Sequence, residues 1–178
     1  KDNTKILDIG CNLGYLSAYY SKLFLNSTID GVDTCKKTIL KAKELHTGYS
    51  NLEFYNDFKL IDEKKYDYVT DTQCLSDIIN NDDLCQMGNN IHSVLKEEGL
   101  LISISALPTV DICKNLVKLL ESCKLYLQNL DKFIIKDMNG KHGYTKLIFT
   151  KNNNDIKFNF DDYYQNLHNA LSTEIDSE

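Results

Sequence analysis

Arginine and tryptophan are missing from the 178 residues, and proline occurs once. All 20 cationic side chains are lysines, set against 26 acidic ones, for a net charge of −6. Such a chain lacks bidentate guanidinium donors and a basic stripe, so an extended nucleic-acid partner is disfavoured. No apolar run approaches the roughly 20 residues of a membrane span, and the first residues are polar rather than signal-like. The leading lysine reads as the start of a fragment. The six cysteines (11, 35, 74, 85, 113 and 123) include no CxxC pair, and no histidine stands at ligand spacing. That excludes a structural zinc motif; no metal is expected. The cysteines suit small core positions in a reducing, cytoplasmic setting.

A hydrophobic content of 42% is enough for the core of one domain. Strand and helix patterns alternate along the chain. Strands are read at 5–9, 27–33 ("STIDGVD"), 51–57, 65–71 and 99–106. The last of these, "GLLISISA", is an unbroken apolar run, as in a strand covered on both faces. Helices are read at 14–24, with Leu16, Tyr20 and Leu23 on one face, and at 36–46, 82–96 and 110–125. "KFIIKD" and "YTKLIFTK" flank an Asn-Gly turn, a hairpin signal. The order predicts an α/β fold: a doubly wound, mostly parallel seven-stranded sheet with one antiparallel strand from the closing hairpin, and helices on both faces. This domain is expected over residues 1–151. Residues 152–178 read as a linker, a short helix at 160–171 and a disordered tail.

Ligands of such sheets sit beyond the carboxyl ends of the strands. Acidic residues collect there: Asp8 ends the first strand, Asp33 the second, Asp57 the third and Asp71 the fourth. A carboxylate after the second strand can accept hydrogen bonds from both ribose hydroxyls. One after the third can accept from an adenine amino group. Asp8, inside the turn "LDIGCNLG", would repel a pyrophosphate but suit an ammonium or sulfonium. The loop therefore fits a nucleoside with a cationic amino-acid tail.

With these positions, the chain resembles a class I S-adenosylmethionine-dependent methyltransferase over about residues 3 to 151. "LDIGCNLG" is similar to the family's first motif, "GVD" to its second and "YNDF" to its third; "YDYVTDTQCLSDI" resembles the segment facing methyl donor and acceptor. The resemblance implies S-adenosyl-L-methionine as cofactor, held by Asp8, Gly10, Cys11, Asn12, Gly14, Tyr15, Asp33, Thr34, Asp57, Phe58 and Asp71. Asp33 would hold the ribose, Asp57 the adenine amino group, and Phe58 would lie against the ring. Asn12 stands where the family commonly has glycine. Asparagine tolerates left-handed backbone, so it can keep the turn.

Two other readings share the pattern. A nicotinamide dehydrogenase would need G-x-G-x-x-G with room for a pyrophosphate, whereas this loop is G-x-x-x-G behind a carboxylate. A non-catalytic binding module of the same fold would not need the acidic positions. No general base stands out. Asp71 and Asp77 follow the fourth strand, His142 lies in a turn, His46 ends a helix, and His92 and His168 fall in helical stretches. "TDTQ" replaces the "NPPY"-type segment of enzymes that methylate amino groups of nucleic acids or proteins. The expected acceptor is thus a small molecule methylated on oxygen or nitrogen.

Overall fold

The computed structural model describes residues 3–61, 63–106, 109–137 and 140–172. Five parallel strands, β1 (Lys5–Ile9), β2 (Thr28–Val32), β3 (Leu52–Tyr55), β4 (Tyr66–Thr72) and β5 (Leu95–Ser105), are joined by β6 (Tyr126–Asp137) and β7 (Gly140–Thr150). The sheet order is β3-β2-β1-β4-β5-β7-β6. β7 runs antiparallel to both β5 and β6. The chain reverses direction outward at β1, so the carboxyl ends of β1, β2 and β4 flank the crevice where doubly wound sheets bind ligands.

Helices cover the two faces unequally. α4 (Asn81–Val94), α5 (Val110–Ser122) and α6 (Phe160–Ser172) build the larger core with Leu7, Ile9, Val69, Leu101, Leu147 and Phe149. α1 (Tyr15–Leu23) and α2 (Lys36–Leu45) lie on the other face, where Cys11, Ile39, Ala42 and Phe54 form a smaller core. On that side Tyr68, Leu100, Ile102, Ile104 and Ile148 stay half-exposed among the described residues. α6 is docked rather than appended. Tyr164 and Leu167 are buried, and the Tyr163 hydroxyl donates to the Asp131 carbonyl. The tail expected at 172–178 lies, apart from Ser172, outside the described residues, as do Met138 and Asn139 of the hairpin turn.

Several boundaries differ from the sequence reading, each for a local reason. α1 buries Ser17, Ala18 and Ser21, leaves Leu16 and Tyr20 of the expected face half-buried and exposes Leu23. Small residues let the helix lie close to the sheet while their hydroxyls reach Asp8 and Asn51. α4 stops at Val94 because Leu95 is needed in the sheet opposite Tyr66. α5 ends with Lys124 in the left-handed region (φ 62), where the Leu125 N–H reaches back to the Leu120 carbonyl. A lysine in the place usually taken by glycine hid that stop. On α5, Ile112 faces solvent and Cys113 is buried in its stead. β6 starts six residues before the expected strand, since the register shift between Leu127 and Asn129 breaks the alternation that would reveal it.

Asn51 closes the end of α1. Its amide donates to the carbonyls of Ser21 (3.3 Å), Phe24 (3.2 Å) and Ser27 (2.9 Å), and its oxygen accepts from the Ser21 hydroxyl. Asn51→Ala should leave these groups unpaired and lower unfolding stability by about 1–3 kcal/mol in denaturant titration. A loss below about 0.5 kcal/mol would mean that water replaces the amide without penalty.

Candidate functional site

β1 delivers the chain into a turn that only unusual backbone angles permit. Gly10, Asn12 and Gly14 all have positive φ (65°, 50° and 76°). Asparagine at position 12 fits because it reaches the left-handed region at modest cost. The Asn12 N–H donates to the Asp33 carboxylate (3.0 Å), which also accepts from the Cys35 N–H (2.9 Å). One side chain thereby joins the loops after β1 and β2. The turn is hemmed in on both sides. A Cβ at Gly10 would meet Cys74 Cβ at 2.5 Å, and one at Gly14 would meet the Phe54 ring at 2.3 Å. His46 adds a tie that the sequence did not reveal: its Nε2–H donates to the Leu13 carbonyl (2.9 Å).

Two adjoining compartments open beyond the strand ends. The first, about 410 Å³, is lined by Gly10, Asp33, Thr34, Asn56, Asp57, Phe58, Cys74, Met87 and Asn90, with Ile9 and Val32 at its floor. The second, about 380 Å³, is lined by Gly10, Asn12, Asp33, Thr72, Gln73, Cys74, Asp77 and Ile78. Among the described residues, no basic side chain lines either one. Six of the expected residues, Gly10, Asn12, Asp33, Thr34, Asp57 and Phe58, therefore come together in this cleft.

The other five do not line it. Cys11 is buried under α2, and Gly14 packs on Phe54 and His46. Tyr15 is 65% exposed and meets the His46 ring edge-on. Asp8 and Asp71, expected to face the ligand, lie behind the cleft at 2% and 0% exposure. Asp8 accepts from the Ser17 hydroxyl (2.5 Å) and, at 3.5 Å, from Thr70, fixing the first turn of α1. Asp71 accepts from the Ser103 hydroxyl (2.5 Å) and the Leu75 N–H (3.0 Å), fixing the turn after β4. Sequence reasoning missed Asn56, Met87 and Asn90, and it flagged Thr72, Gln73 and Cys74 only as part of the segment after β4, with no individual role. Of the three missed, only Asn56 carried a signal, its strand-end position.

The electrostatics follow from burial. Loss of water pushes Asp8 up to about 6, against the Ser17 hydrogen bond, with repulsion from Asp71 adding to the rise. Asp71 is likewise pushed up to about 6 by burial, against hydrogen bonds from Ser103, Leu75 and Cys74. The Cys74 thiol, at the junction of the two compartments, is raised to about 12, first by burial and then by Asp71, Asp33, Asp77 and Asp8. It stays protonated and is no nucleophile. Four aspartates acting on one point make the cleft a negative field, suited to a cation and hostile to phosphate.

Asn12 gives a direct test of the turn. Asn12→Gly should keep unfolding stability within a few tenths of a kcal/mol, since glycine reaches φ 50° freely. Asn12→Val should lose about 1–3 kcal/mol, because a β-branched residue is strained there. Equal losses in calorimetric unfolding would show that the position requires the amide and not the backbone angle.

Residues 1–169 match the family described as a methyltransferase domain. Methyltransferase 235L of Invertebrate iridescent virus 6, so named by inference, is 30% identical over 122 residues, covering 65% of this chain. The match spans 43% of that relative's length. The structure of a SAM-dependent methyltransferase from Methanosarcina mazei superposes with a TM-score of 0.67 at 16% identity, covering 84% of this chain and 92% of that one. The N-methyltransferase NodS of Bradyrhizobium japonicum, solved with S-adenosyl-L-homocysteine, gives 0.63 at 14% identity over 82% of this chain and 76% of its own. At these identities the structural likeness is one of fold. The family match and the sheet order together agree with the resemblance carried by the motifs, and the chain belongs to the methyltransferase-domain family with the Rossmann-like fold of its class I members.

Proposed function

We propose that this chain transfers a methyl group from S-adenosyl-L-methionine to an oxygen or nitrogen of a small-molecule acceptor. The observation that carries the reading is the Asp33 carboxylate, held at the end of β2 by two backbone N–H groups while still lining both compartments. Each of its oxygens retains a lone pair for a ribose hydroxyl. The residues fit the donor in three further respects. The glycine turn lets backbone approach a ligand closely, no lysine among the described residues lines the cleft to invite a pyrophosphate, and the field favours a cation.

The donor would supply an already activated methyl on its sulfonium. Asp57, exposed and capping a short 3-10 turn at Phe58–Leu60, and Asn56 would meet the adenine edge. Phe58, half-buried against the core, would give the ring an apolar wall. Gln73 and Cys74 would separate donor from acceptor. Alignment and exclusion of water are then the chain's main contribution to the rate. The unit over residues 1–151 would carry the chemistry, with α6 bracing the hairpin. Among the described residues no helix is long and apolar enough to cross a membrane. Six unpaired cysteines support a reducing, cytoplasmic setting.

Asp33→Ala should weaken S-adenosylmethionine binding by about 1.5–3 kcal/mol, the range for hydrogen bonds to a charged group. Asp57→Ala should cost less, because an adenine amino group at an exposed rim recovers a bond from water. Isothermal titration of both variants checks the order. Unchanged affinity in the Asp33 variant would remove that residue from the site, and a larger loss at Asp57 would move the adenine elsewhere.

A further inference from the structure

Gln73 occupies a position that its residue type does not favour. Its φ is 71° and ψ −10°, in a region that glycine and asparagine reach more easily. The surroundings hold it there. Its N–H donates to the Ile104 carbonyl (3.0 Å), and its own carbonyl accepts from the Ser76 hydroxyl (3.0 Å). Its side-chain oxygen accepts from the Ala106 N–H (3.0 Å) and lies 3.2 Å from the Ser76 hydroxyl. Because the Ala106 N–H can only donate, the oxygen and nitrogen ends of the amide are fixed. The amide is thus tied across the carboxyl ends of β4 and β5 by its oxygen, and its NH₂ has no partner among the described residues. The same residue lines the second compartment together with Asp33 and Asp77. Strain kept at a ligand cleft, with one hydrogen-bonding end saturated and the other left over, is a mark of function.

We propose that Gln73 orients the methyl acceptor, and that the acceptor is a small amine carrying a carbonyl or hydroxyl oxygen close to its nitrogen. This rests on the donor reading above and extends it to the adjoining compartment. The Gln73 NH₂ gives a hydrogen bond to the oxygen, and the carboxylates of Asp33 and Asp77 draw the amine as its ammonium. The ammonium releases a proton to water before the nitrogen lone pair forms the C–N bond to the methyl, while the C–S bond breaks and S-adenosylhomocysteine leaves. The field that raises the Cys74 thiol acts on the same compartment and disfavours an anionic acceptor. Gln73 also links β4 to β5 directly, so the acceptor's position would be set by the ends of these two strands, beside the β1 and β2 ends that border the donor compartment.

The test uses the full chain saturated with S-adenosylhomocysteine, with glycinamide (amine and carbonyl) and propylamine (amine alone) as probes. Calorimetry first measures the nucleoside itself. Absence of binding there overturns the donor reading and this proposal with it. With the nucleoside bound, glycinamide should bind roughly 2- to 10-fold more tightly than propylamine, the ratio given by one neutral hydrogen bond. It should also move the Gln73 side-chain amide signals in a heteronuclear spectrum. Gln73→Glu keeps an oxygen for the Ala106 N–H but has no N–H to offer, so the preference should vanish. Taking the ratio of two cations cancels the effect of the added charge. Gln73→Asn, at home in left-handed backbone but shorter, should lose the preference with its fold intact by circular dichroism, and it carries the test where the glutamate variant does not fold. An equal affinity for the two amines in the unaltered chain, a preference that survives both substitutions, or failure of either amine to bind the nucleoside-loaded protein would overturn the proposal.

Discussion

The cleft depends on the Asp33 carboxylate and the two N–H groups it holds. The Asn12 and Cys35 amides come from different strand-to-helix turns, and both point at one side chain. Without it, the left-handed turn after β1 would be tied to the end of β2 only by the Cys11 N–H and the Val32 carbonyl (3.1 Å) among the described hydrogen bonds. The rest of the turn follows by exclusion. Gly10 must lack a Cβ because Cys74 comes across from the β4 side, and Gly14 must lack one because Phe54 rises from β3. α1 can then start close to the sheet, which explains why its buried face is serine and alanine rather than leucine. A helix lying so close brings Ser17 to Asp8, and the acid becomes a structural anchor.

That anchoring changes what the acidic rim does. Asp8 and Asp71 do not touch the cleft, yet both sit behind it with little water to screen them. Their effect on a ligand is through space, where low local dielectric makes a charge felt over a longer distance than at a surface. Asp33 and Asp77 add charge from the front. Under the proposed reading the glycine turn would mark the donor side of the cleft, and this field would explain why the turn is paired with carboxylates instead of lysines.

Much of the fold was legible because it rests on patterns that the backbone enforces. The alternation of strand and helix, the Gly10-to-Gly14 turn and the Asp33 strand end all have local signatures. The failures share one cause: tertiary contacts decided them. Leu95 reads as the next residue of an amphipathic helix, and only its place opposite Tyr66 makes it a strand. Asp8 and Asp71 sit at strand ends like any ligand-binding acid, and nothing in the sequence says that Ser17 and Ser103 turn them inward. Gln73 lay in a segment that the motifs singled out, but nothing marked it individually, because a four-residue helix has no periodicity and its left-handed backbone leaves no trace in a glutamine. His46 does cap the end of α2 as its position suggested, but its hydrogen bond to the Leu13 carbonyl is a tertiary contact with no local signature.

The central claim is that buried and rim carboxylates select a cationic nucleoside. It is tested most directly by titrating the chain with S-adenosylmethionine and S-adenosylhomocysteine at several pH values from 5 to 8. The two ligands differ in the sulfonium charge and its methyl. Asp8 and Asp71 are pushed up to about 6 in the free protein, and a nearby cation would lower both, so the bound state holds fewer protons. Affinity for the sulfonium should therefore fall as pH drops through 6 and level off above about 7, while the uncharged thioether responds much less. Identical pH profiles for the two ligands would contradict the account.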